Sequence, residues 1–252
     1  MTSELAVLGG GVGVGILFGL FGVGGSSFAT PLLSLLGVPP LLAVASALPA
    51  TLPSAISGAV SYLRRGEMDW RVAWLSVAGG LPATVVGALL LRAMGGHWLL
   101  VGSGVVLGVV GLRVLRPIQP KTLEEAAHRR SQAGLIVGGA ACVGLFTGLL
   151  ANGGGFLLVP LYLIVLGMPM RSSSGTSLAV IAALSVPTLI THWALGHIDW
   201  TVAYGFAIGS IPGAYAGGRL ANRFEGDRLR IAFGSLLLIF ATCFVLSQVV
   251  KG

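Results

Sequence analysis

The chain has 252 residues, of which 55% are hydrophobic, only 9% are charged and 40 are glycine. Lipid tolerates the surface that such a composition produces and water does not, so an ordinary soluble domain is excluded and several membrane crossings are indicated. The net charge of +7 does not indicate a nucleic-acid-binding protein, because the basic residues lie between apolar runs and not on one solvated face.

Ten apolar runs follow one another along the chain. They cover about residues 5–22, 27–37, 40–63, 72–94 and 98–116, then 132–151, 155–167, 172–195, 200–221 and 229–250. Two of them, 27–37 and 155–167, are shorter than the roughly 20 residues that a helix needs to cross a bilayer. Each short run follows a glycine-rich break, GLFGVGGSSFATP at 19–31 or GLLANGGGFLLVP at 148–160. We therefore expect two half-helices, each entered through a turn inside the membrane.

The two sets of five runs repeat each other. Gly19, Leu20, Gly24, Gly25, Pro31 and Leu32 recur 129 residues later as Gly148, Leu149, Gly153, Gly154, Pro160 and Leu161. Gly37, Pro39, Leu48, Gly66, Asp69, Trp70, Gly79 and Pro82 recur 130 residues later as Gly167, Pro169, Leu178, Gly196, Asp199, Trp200, Gly209 and Pro212. The predicted fold is an all-α polytopic membrane protein with a first repeat at 1–116, a polar linker at 117–130 and a second repeat at 131–252.

The distribution of basic residues predicts how the repeats are oriented. If every run is one leg, 13 of the 15 Lys and Arg residues fall in loops on one side, and only Arg92 and Lys251 fall on the other. The crowded side is then cytoplasmic, with the linker, and both termini face outside. Because five legs are an odd number, the second repeat is inverted, as in secondary transporters with broken helices near the bilayer midplane.

Three elements that occur twice and in order carry a family resemblance. They are the Gly-Gly turn followed by Pro31 or Pro160, the small-residue runs Ala45–Leu48 and Gly175–Leu178, and the G-x-x-D-W loops at 66–70 and 196–200. In these elements the chain resembles the TauE/SafE family. The resemblance implies a bacterial inner-membrane permease, with members linked to export of sulfite, sulfoacetate and related organosulfur anions. The first repeat has Ala-Ser-Ala where the second has the fuller Gly-Thr-Ser.

The breaks are candidate anion sites on physical grounds. A half-helix that begins after glycines presents unpaired amides and the positive end of its dipole, and glycine lets an oxyanion approach the backbone. The alternative is that these glycines only permit close helix packing. The predicted substrate-binding residues are Gly24, Gly25, Ser26, Ser27, Ser46, Asn152, Gly153, Gly154, Gly155, Thr176 and Ser177.

Two further polar faces allow two interpretations. Ser54, Ser57, Gly58 and Ser61 share one helix face, and Ser185, Thr188, Thr191 and His192 line a comparable face in the second repeat. These residues form either the wall of a polar cavity or hydrogen bonds that join neighbouring helices. His192 is a candidate for proton coupling or, alternatively, an interfacial histidine. Asp69 and Asp199, each before a Trp, are interpreted as helix N-caps.

The predicted function is secondary transport of a small anion, sulfite, sulfoacetate or a related sulfur oxyanion, by alternating access and in the direction of export. The alternatives are an anion channel, an uptake permease for another small carboxylate or oxyanion, and an intramembrane enzyme. No metal or cofactor is expected, because the sequence has no metal-ligand cluster and its eight acidic residues are all peripheral. The expected partners are the anionic substrate, the lipid bilayer and a coupling ion, H⁺ or Na⁺, with no nucleic acid.

Overall fold

The computed structural model describes residues 4–91, 108–116, 132–150 and 155–251. Within these ranges the chain is helical and contains no β-strand. The helices are α1 (Glu4–Phe21), α2 (Ser26–Leu35), α3 (Pro40–Leu63), α4 (Trp70–Leu91), α5 (108–115), α6 (Ala133–Leu150), α7 (Gly155–Pro160, continued by a π-helical turn at Leu161–Val165), α8 (Met170–Ala194), α9 (Trp200–Leu220, continued by a 3₁₀ turn at Ala221–Arg223) and α10 (Gly226–Lys251). The predicted linker at 117–130 and residues 151–154 lie outside the described residues.

The all-helical prediction is confirmed for the described part of the chain, and its helices follow the predicted apolar runs. Among the described residues, two helices are long and apolar enough to cross a membrane, Leu42–Leu63 and Met170–Ala194. Three shorter helices are also apolar: Leu5–Phe21, Ala133–Gly148 and Phe156–Val165. The predicted half-helix at 27–37 is the ten-residue α2, well short of a full crossing.

In two pairs of parallel helices, α1 with α9 and α4 with α6, the two members of each pair approach each other through glycines. A Cβ atom on Gly209 would touch the carbonyl oxygen of Leu8, and a Cβ atom on Gly79 would touch that of Val137. These two contacts are related by the repeat spacings of 129 and 130. Small residues let helices in lipid pack at backbone distance, where dispersion and weak hydrogen bonds hold them. The repeated glycines therefore form two equivalent helix crossings.

The matched helices α3 and α8 run antiparallel. Asp69, which follows α3, donates its N–H to Thr176 Oγ1 near the start of α8 at 3.1 Å. Asp199, which follows α8, donates its N–H to Ser46 Oγ near the start of α3 at 2.9 Å. Each helix thus begins beside the end of the other. The two bonds are equivalent, because their donors and acceptors are related by the repeat.

Both aspartates are N-caps, which confirms the interpretation from the sequence. Asp199 Oδ1 accepts the backbone N–H groups of Thr201 at 2.9 Å and Val202 at 3.2 Å. Asp69 Oδ1 accepts the N–H of Val72 at 3.1 Å. These bonds satisfy amides in the first turns of α9 and α4 that have no partner inside their helices.

The change of repeat spacing from 129 to 130 falls within a helix. In α2 the N–H of Leu36 donates to Leu32 O at 3.0 Å, an ordinary α-helical bond. The matched bond in the second repeat runs from Leu166 N–H to Leu161 O at 3.3 Å and spans five residues. The π-helical turn at Leu161–Val165 therefore accommodates the extra residue as a single wide turn.

Candidate functional site

The first glycine break is a buried turn of four residues between α1 and α2. Gly22 has φ +69°, a left-handed conformation that glycine adopts without steric cost. A Cβ atom there would also collide with Ser174 and Ser177 of α8. Both the conformation and the close approach of α8 therefore require glycine at this position.

Three buried hydroxyl groups hold the last carbonyls of α1 and the carbonyl of Gly22, the first residue of the break. Tyr62 Oη lies 2.9 Å from Gly19 O and 3.1 Å from Leu20 O, so that one O–H serves both carbonyls. Ser174 Oγ donates to Phe21 O at 3.1 Å, and Ser177 Oγ lies 2.7 Å from Gly22 O. The final carbonyls of a helix have no partner inside it, so these side chains let α1 end inside the protein.

Of these three residues, only Ser177 is predicted as a site residue from the sequence. Ser174 belongs to the run Ser172–Ser174 at the start of α8, a weak signal for a helix that must satisfy buried polar groups. Tyr62 gives no local signal, because it lies 43 residues from Gly19 along the chain and is one aromatic residue among many in apolar helices.

The start of α2 has backbone amides without partners inside the helix. Gly25 occupies the N-cap position and makes no side-chain cap. Its carbonyl accepts the N–H of Ala29 at 2.9 Å, and the amides that precede this bond have no partner within the helix. Gly24 and Gly25 are buried. The side chains of Ser26 and Ser27 are not among those that the structure describes.

The second break is described only at its edges. α6 ends at Leu150 and α7 begins at Gly155, so Asn152, Gly153 and Gly154 lie outside the described residues. The first residues of α7 after Gly155, from Phe156 to Val159, are buried. This second short helix is therefore enclosed by protein along its first turn.

Ser46 and Thr176 are buried and engaged with loops. Each hydroxyl oxygen accepts one backbone N–H, from Asp199 and from Asp69 respectively. Since α8 rises about 1.5 Å per residue and Ser46 lies beside the loop after α8, the structure places Ser46 and Thr176 toward opposite ends of the α3–α8 pair. Ser177, in contrast, lies at the first break. Substrate binding by these three residues stays a prediction.

The serines of α3 join helices. Ser54 Oγ donates to Ser210 Oγ at 3.0 Å, Ser57 Oγ donates to Ile211 O at 3.0 Å, and Ser61 Oγ lies 3.4 Å from Tyr215 O. On α8, Ser185 Oγ bonds back to Ala182 O of its own helix at 2.9 Å. For these residues the structure favours the packing interpretation over a polar cavity wall.

The end of the bundle where α8 finishes carries a pair of histidines. His192 is half-buried in the last turn of α8, and its Nδ1 lies 3.4 Å from Nδ1 of His197. The neighbouring Trp193 and Trp200 are exposed and pack edge to face, with ring centroids 6.4 Å apart. Such exposed aromatic residues are typical of a membrane–water interface. A role of His192 in proton coupling stays a prediction.

The opposite end of the bundle is charged. Arg171, at the start of α8, lies 3.7 Å from Glu67 of the α3–α4 loop and donates to Phe224 O at 2.8 Å. Arg230 donates to Val114 O at 2.6 Å and to Arg116 O at 2.8 Å. The bonds of Arg171 tie the start of α8 to the α3–α4 loop and to the loop after α9, and those of Arg230 tie the start of α10 to the end of α5. Across the described ranges, no cluster of three or more His, Cys, Asp or Glu residues could hold a metal ion.

Known proteins are similar to this chain over most of its length. Residues 7–244 match the family Sulfite exporter TauE/SafE. A "Probable membrane transporter protein" of Xylella fastidiosa strain 9a5c is 29% identical, and the match covers 96% of this chain and 94% of that protein. "Probable membrane transporter protein YjnA" of Bacillus subtilis strain 168 is 27% identical over 91% of this chain and 94% of its own length.

No solved structure matches this chain at a significant level. The family match nevertheless covers almost the whole chain, including both breaks, the hydroxyl groups that hold α1 and the two capped loops. The chain therefore belongs to the TauE/SafE family and is a multi-pass membrane transporter.

Proposed function

We propose that this protein is a secondary transporter that exports a small sulfur-containing oxyanion, such as sulfite or sulfoacetate, across the bacterial inner membrane by alternating access. The observation that carries the proposal is the buried break before α2, because it ends one helix and starts another within the protein. In transporters, such interrupted helices form substrate sites, with their amide-bearing starts directed at anionic groups. H⁺ and Na⁺ are the candidate coupling ions, with His192 as the candidate proton-coupling residue.

The proposed architecture is a pair of inverted repeats, 1–116 and 131–252, joined by a cytoplasmic linker at 117–130. Support comes from the antiparallel run of the matched helices α3 and α8 and from the reciprocal bonds of Asp69 and Asp199. The concentration of arginines at the charged end supports a cytoplasmic position for that end and an outside position for both termini.

The proposed substrate site combines both breaks with nearby hydroxyl groups. Each half-helix start contributes about half a positive elementary charge, so the two together offset the charge of a monoanion. The proposed ligands are the residues predicted from the sequence: Gly24, Gly25, Ser26, Ser27, Ser46, Asn152, Gly153, Gly154, Gly155, Thr176 and Ser177.

Purified protein in liposomes tests the function directly. Counterflow of labelled sulfite or sulfoacetate, driven by an unlabelled substrate gradient and saturating with concentration, is the expected result for a carrier. Conductance that does not saturate would instead identify an anion channel. Turnover of a membrane-embedded substrate would identify an enzyme, and counterflow only of carboxylates would assign a different substrate class.

Glycine substitutions test the site. Gly25 has ordinary helical dihedral angles, and a Cβ atom there would lie 3.2 Å from the buried ring of Phe18, which must move by a few tenths of an ångström to accept it. Gly25→Val should insert and fold with some loss of stability from overpacking, yet abolish counterflow because its side chain covers the amides. The same loss is expected for Gly24→Val, Gly153→Val and Gly154→Val.

The matched control is Gly9→Ala with Gly138→Ala. These glycines are related by the repeat, and a Cβ atom at either one meets no atom within 4 Å. Both controls should transport normally. Unchanged flux in a monodisperse Gly25→Val variant would remove the assignment of this break as the substrate site.

A further inference from the structure

A basic groove opens at the charged end of the bundle, outside the proposed substrate site. Its volume is about 730 Å³, and its polar wall contains Arg65 from the end of α3 together with Arg219 and Arg223 from the end of α9. The apolar wall is formed by Ile16, Ala216 and Leu220. The groove therefore joins three guanidinium groups to an apolar surface.

The three arginines have no carboxylate partner among the described residues. The acidic groups at this end that the structure describes are engaged elsewhere. Glu67 pairs with Arg171 at 3.7 Å, Glu225 with Arg228 at 3.4 Å and Asp227 with Arg230 at 3.4 Å, and Asp69 caps α4. Like charges held in one groove repel each other, so their arrangement favours a bound anion. Guanidinium groups suit phosphate especially well, because they donate paired hydrogen bonds to its oxygens.

The apolar wall points to a lipid as the source of that anion. One side of α9 exposes a stripe at four-residue spacing, with Tyr204 63% and Ile208 64% exposed and Pro212 and Ala216 also exposed. This stripe leads along the helix to Arg219. The guanidinium carbon of Arg219 lies 5.4 Å from the ring centroid of Tyr215, which fixes the charge at the end of the stripe.

We propose that this groove binds the phosphate of an anionic phospholipid, with the acyl chains against the exposed stripe of α9. A free oxyanion would satisfy the three guanidinium groups equally well but would gain nothing from an apolar wall. Basic pockets between membrane helices at the cytoplasmic side recognise anionic headgroups in this way. The inference rests on the membrane-spanning character of the chain and not on the transported substrate.

Native mass spectrometry of the full-length protein, released from micelles with defined lipid, tests the proposal. Phosphatidylglycerol should remain bound where phosphatidylcholine does not. Arg65→Gln, Arg219→Gln and Arg223→Gln should each weaken phosphatidylglycerol binding about fivefold, and the losses should accumulate when the changes are combined. All three side chains are exposed and unpaired with carboxylates in the described chain, so the variants should fold.

Arg228→Gln is the matched control, because this arginine is 75% exposed and carries the same charge outside the groove. It should leave lipid binding unchanged. A second arm offers inorganic phosphate, sulfite and glycerol 3-phosphate to lipid-free protein and measures thermal shift. Equal phosphatidylglycerol binding by the triple variant and wild type would overturn the proposal. The proposal would also be overturned if soluble oxyanions raised the unfolding temperature as much as the lipid does and if this effect needed the same three arginines. Because no transport is measured, the outcome is independent of the proposed function.

Discussion

The contact between α3 and α9 and its matched contact between α8 and α4 differ sharply in chemistry. Ser54 of α3 bonds to Ser210 of α9 at 3.0 Å, whereas the matched residues on α8 and α4 are Leu184 and Gly80. A Cβ atom on Gly80 would lie 3.6 Å from Leu184 Cδ1, at ordinary van der Waals distance. One contact is held by hydroxyl groups and the other by an apolar side chain.

Backbone distances reinforce this difference. A Cβ atom on Gly218 of α9 would lie only 2.9 Å from Gly58 O of α3. The residue of α8 that matches Gly58 is Thr188, a branched side chain. Directional hydrogen bonds and close backbones fix the register of α3 against α9, while dispersion contacts between α8 and α4 are less directional. We expect the α8–α4 contact to move during transport and the α3–α9 contact to stay intact.

Reversible cross-links give the largest expected effect. In a background of Cys142→Ala and Cys243→Ala, one variant carries Ser54→Cys with Ser210→Cys, and its matched variant carries Leu184→Cys with Gly80→Cys. Oxidation of the first pair should leave counterflow unchanged, and oxidation of the second should abolish it. Counterflow should return on reduction. The opposite pattern would show that α3–α9 is the moving contact.

A branched side chain at the close contact should have the next largest effect. In Gly58→Val the added atoms meet Gly19 Cα and Ala214 O, which lie 3.4 Å and 3.5 Å from the Cβ position. We expect a loss of about 1–3 kcal/mol from overpacking, seen as a lower midpoint of thermal unfolding in detergent. Thr188→Val, at the matched position, should cost under about 1 kcal/mol. Equal losses would mean that the two contacts are equally tight.

Removal of one hydroxyl from the end of α3 should have a smaller effect. Tyr62→Phe leaves Gly19 O and Leu20 O without their shared donor, which should cost about 1 kcal/mol. The change should also lower the hydrogen-exchange protection of the last turn of α1. Unchanged protection there would show that Tyr62 does not secure the break.

The smallest effect is expected at a polar contact whose matched contact in the other half of the protein is apolar. Tyr162 Oη donates to Ser76 Oγ at 2.8 Å, and the matched residues Leu33 and Phe206 belong to one apolar cluster. The double variant Tyr162→Phe, Ser76→Ala removes both polar groups together and should change stability by about 0.6 kcal/mol or less. Tyr162→Phe alone should cost more, because Ser76 loses its partner. Additive losses for the two changes would contradict this account.

The helices and the capped loops were predictable from the sequence because their signals are local. Apolar runs of limited length, glycine-rich breaks and an aspartate before tryptophan each act within a few residues of the feature that they produce. The repeat added independent support, since each signal occurs twice. The extra residue in the second repeat was also visible, as the change of spacing from 129 to 130.

The partners of the buried hydroxyl groups could not be predicted in the same way. Ser46 binds the amide of Asp199, 153 residues away, and Ser177 binds Gly22, 155 residues away. Which hydroxyl meets which backbone group depends on how α3 and α8 pack, and a single sequence carries no record of that packing. A short run of small hydroxyl residues beside a break is as typical of a ligand-binding site as of a contact that holds a loop. Its role in holding loops is therefore visible only in the structure.

The wide turn at Leu161–Val165 has a consequence for how the two halves diverge. One residue added to a regular helix would rotate everything beyond it by about 100° and would bury the wrong side chains. Here the π-helical turn accommodates the added residue. The N–H of Met168 therefore donates to Tyr162 O, just as the N–H of Val38 donates to Leu33 O in the first repeat. The segment after the second break can thus contain one more residue than the matched segment after the first break. The two repeats thereby carry short helices of different helical form directly after matched breaks.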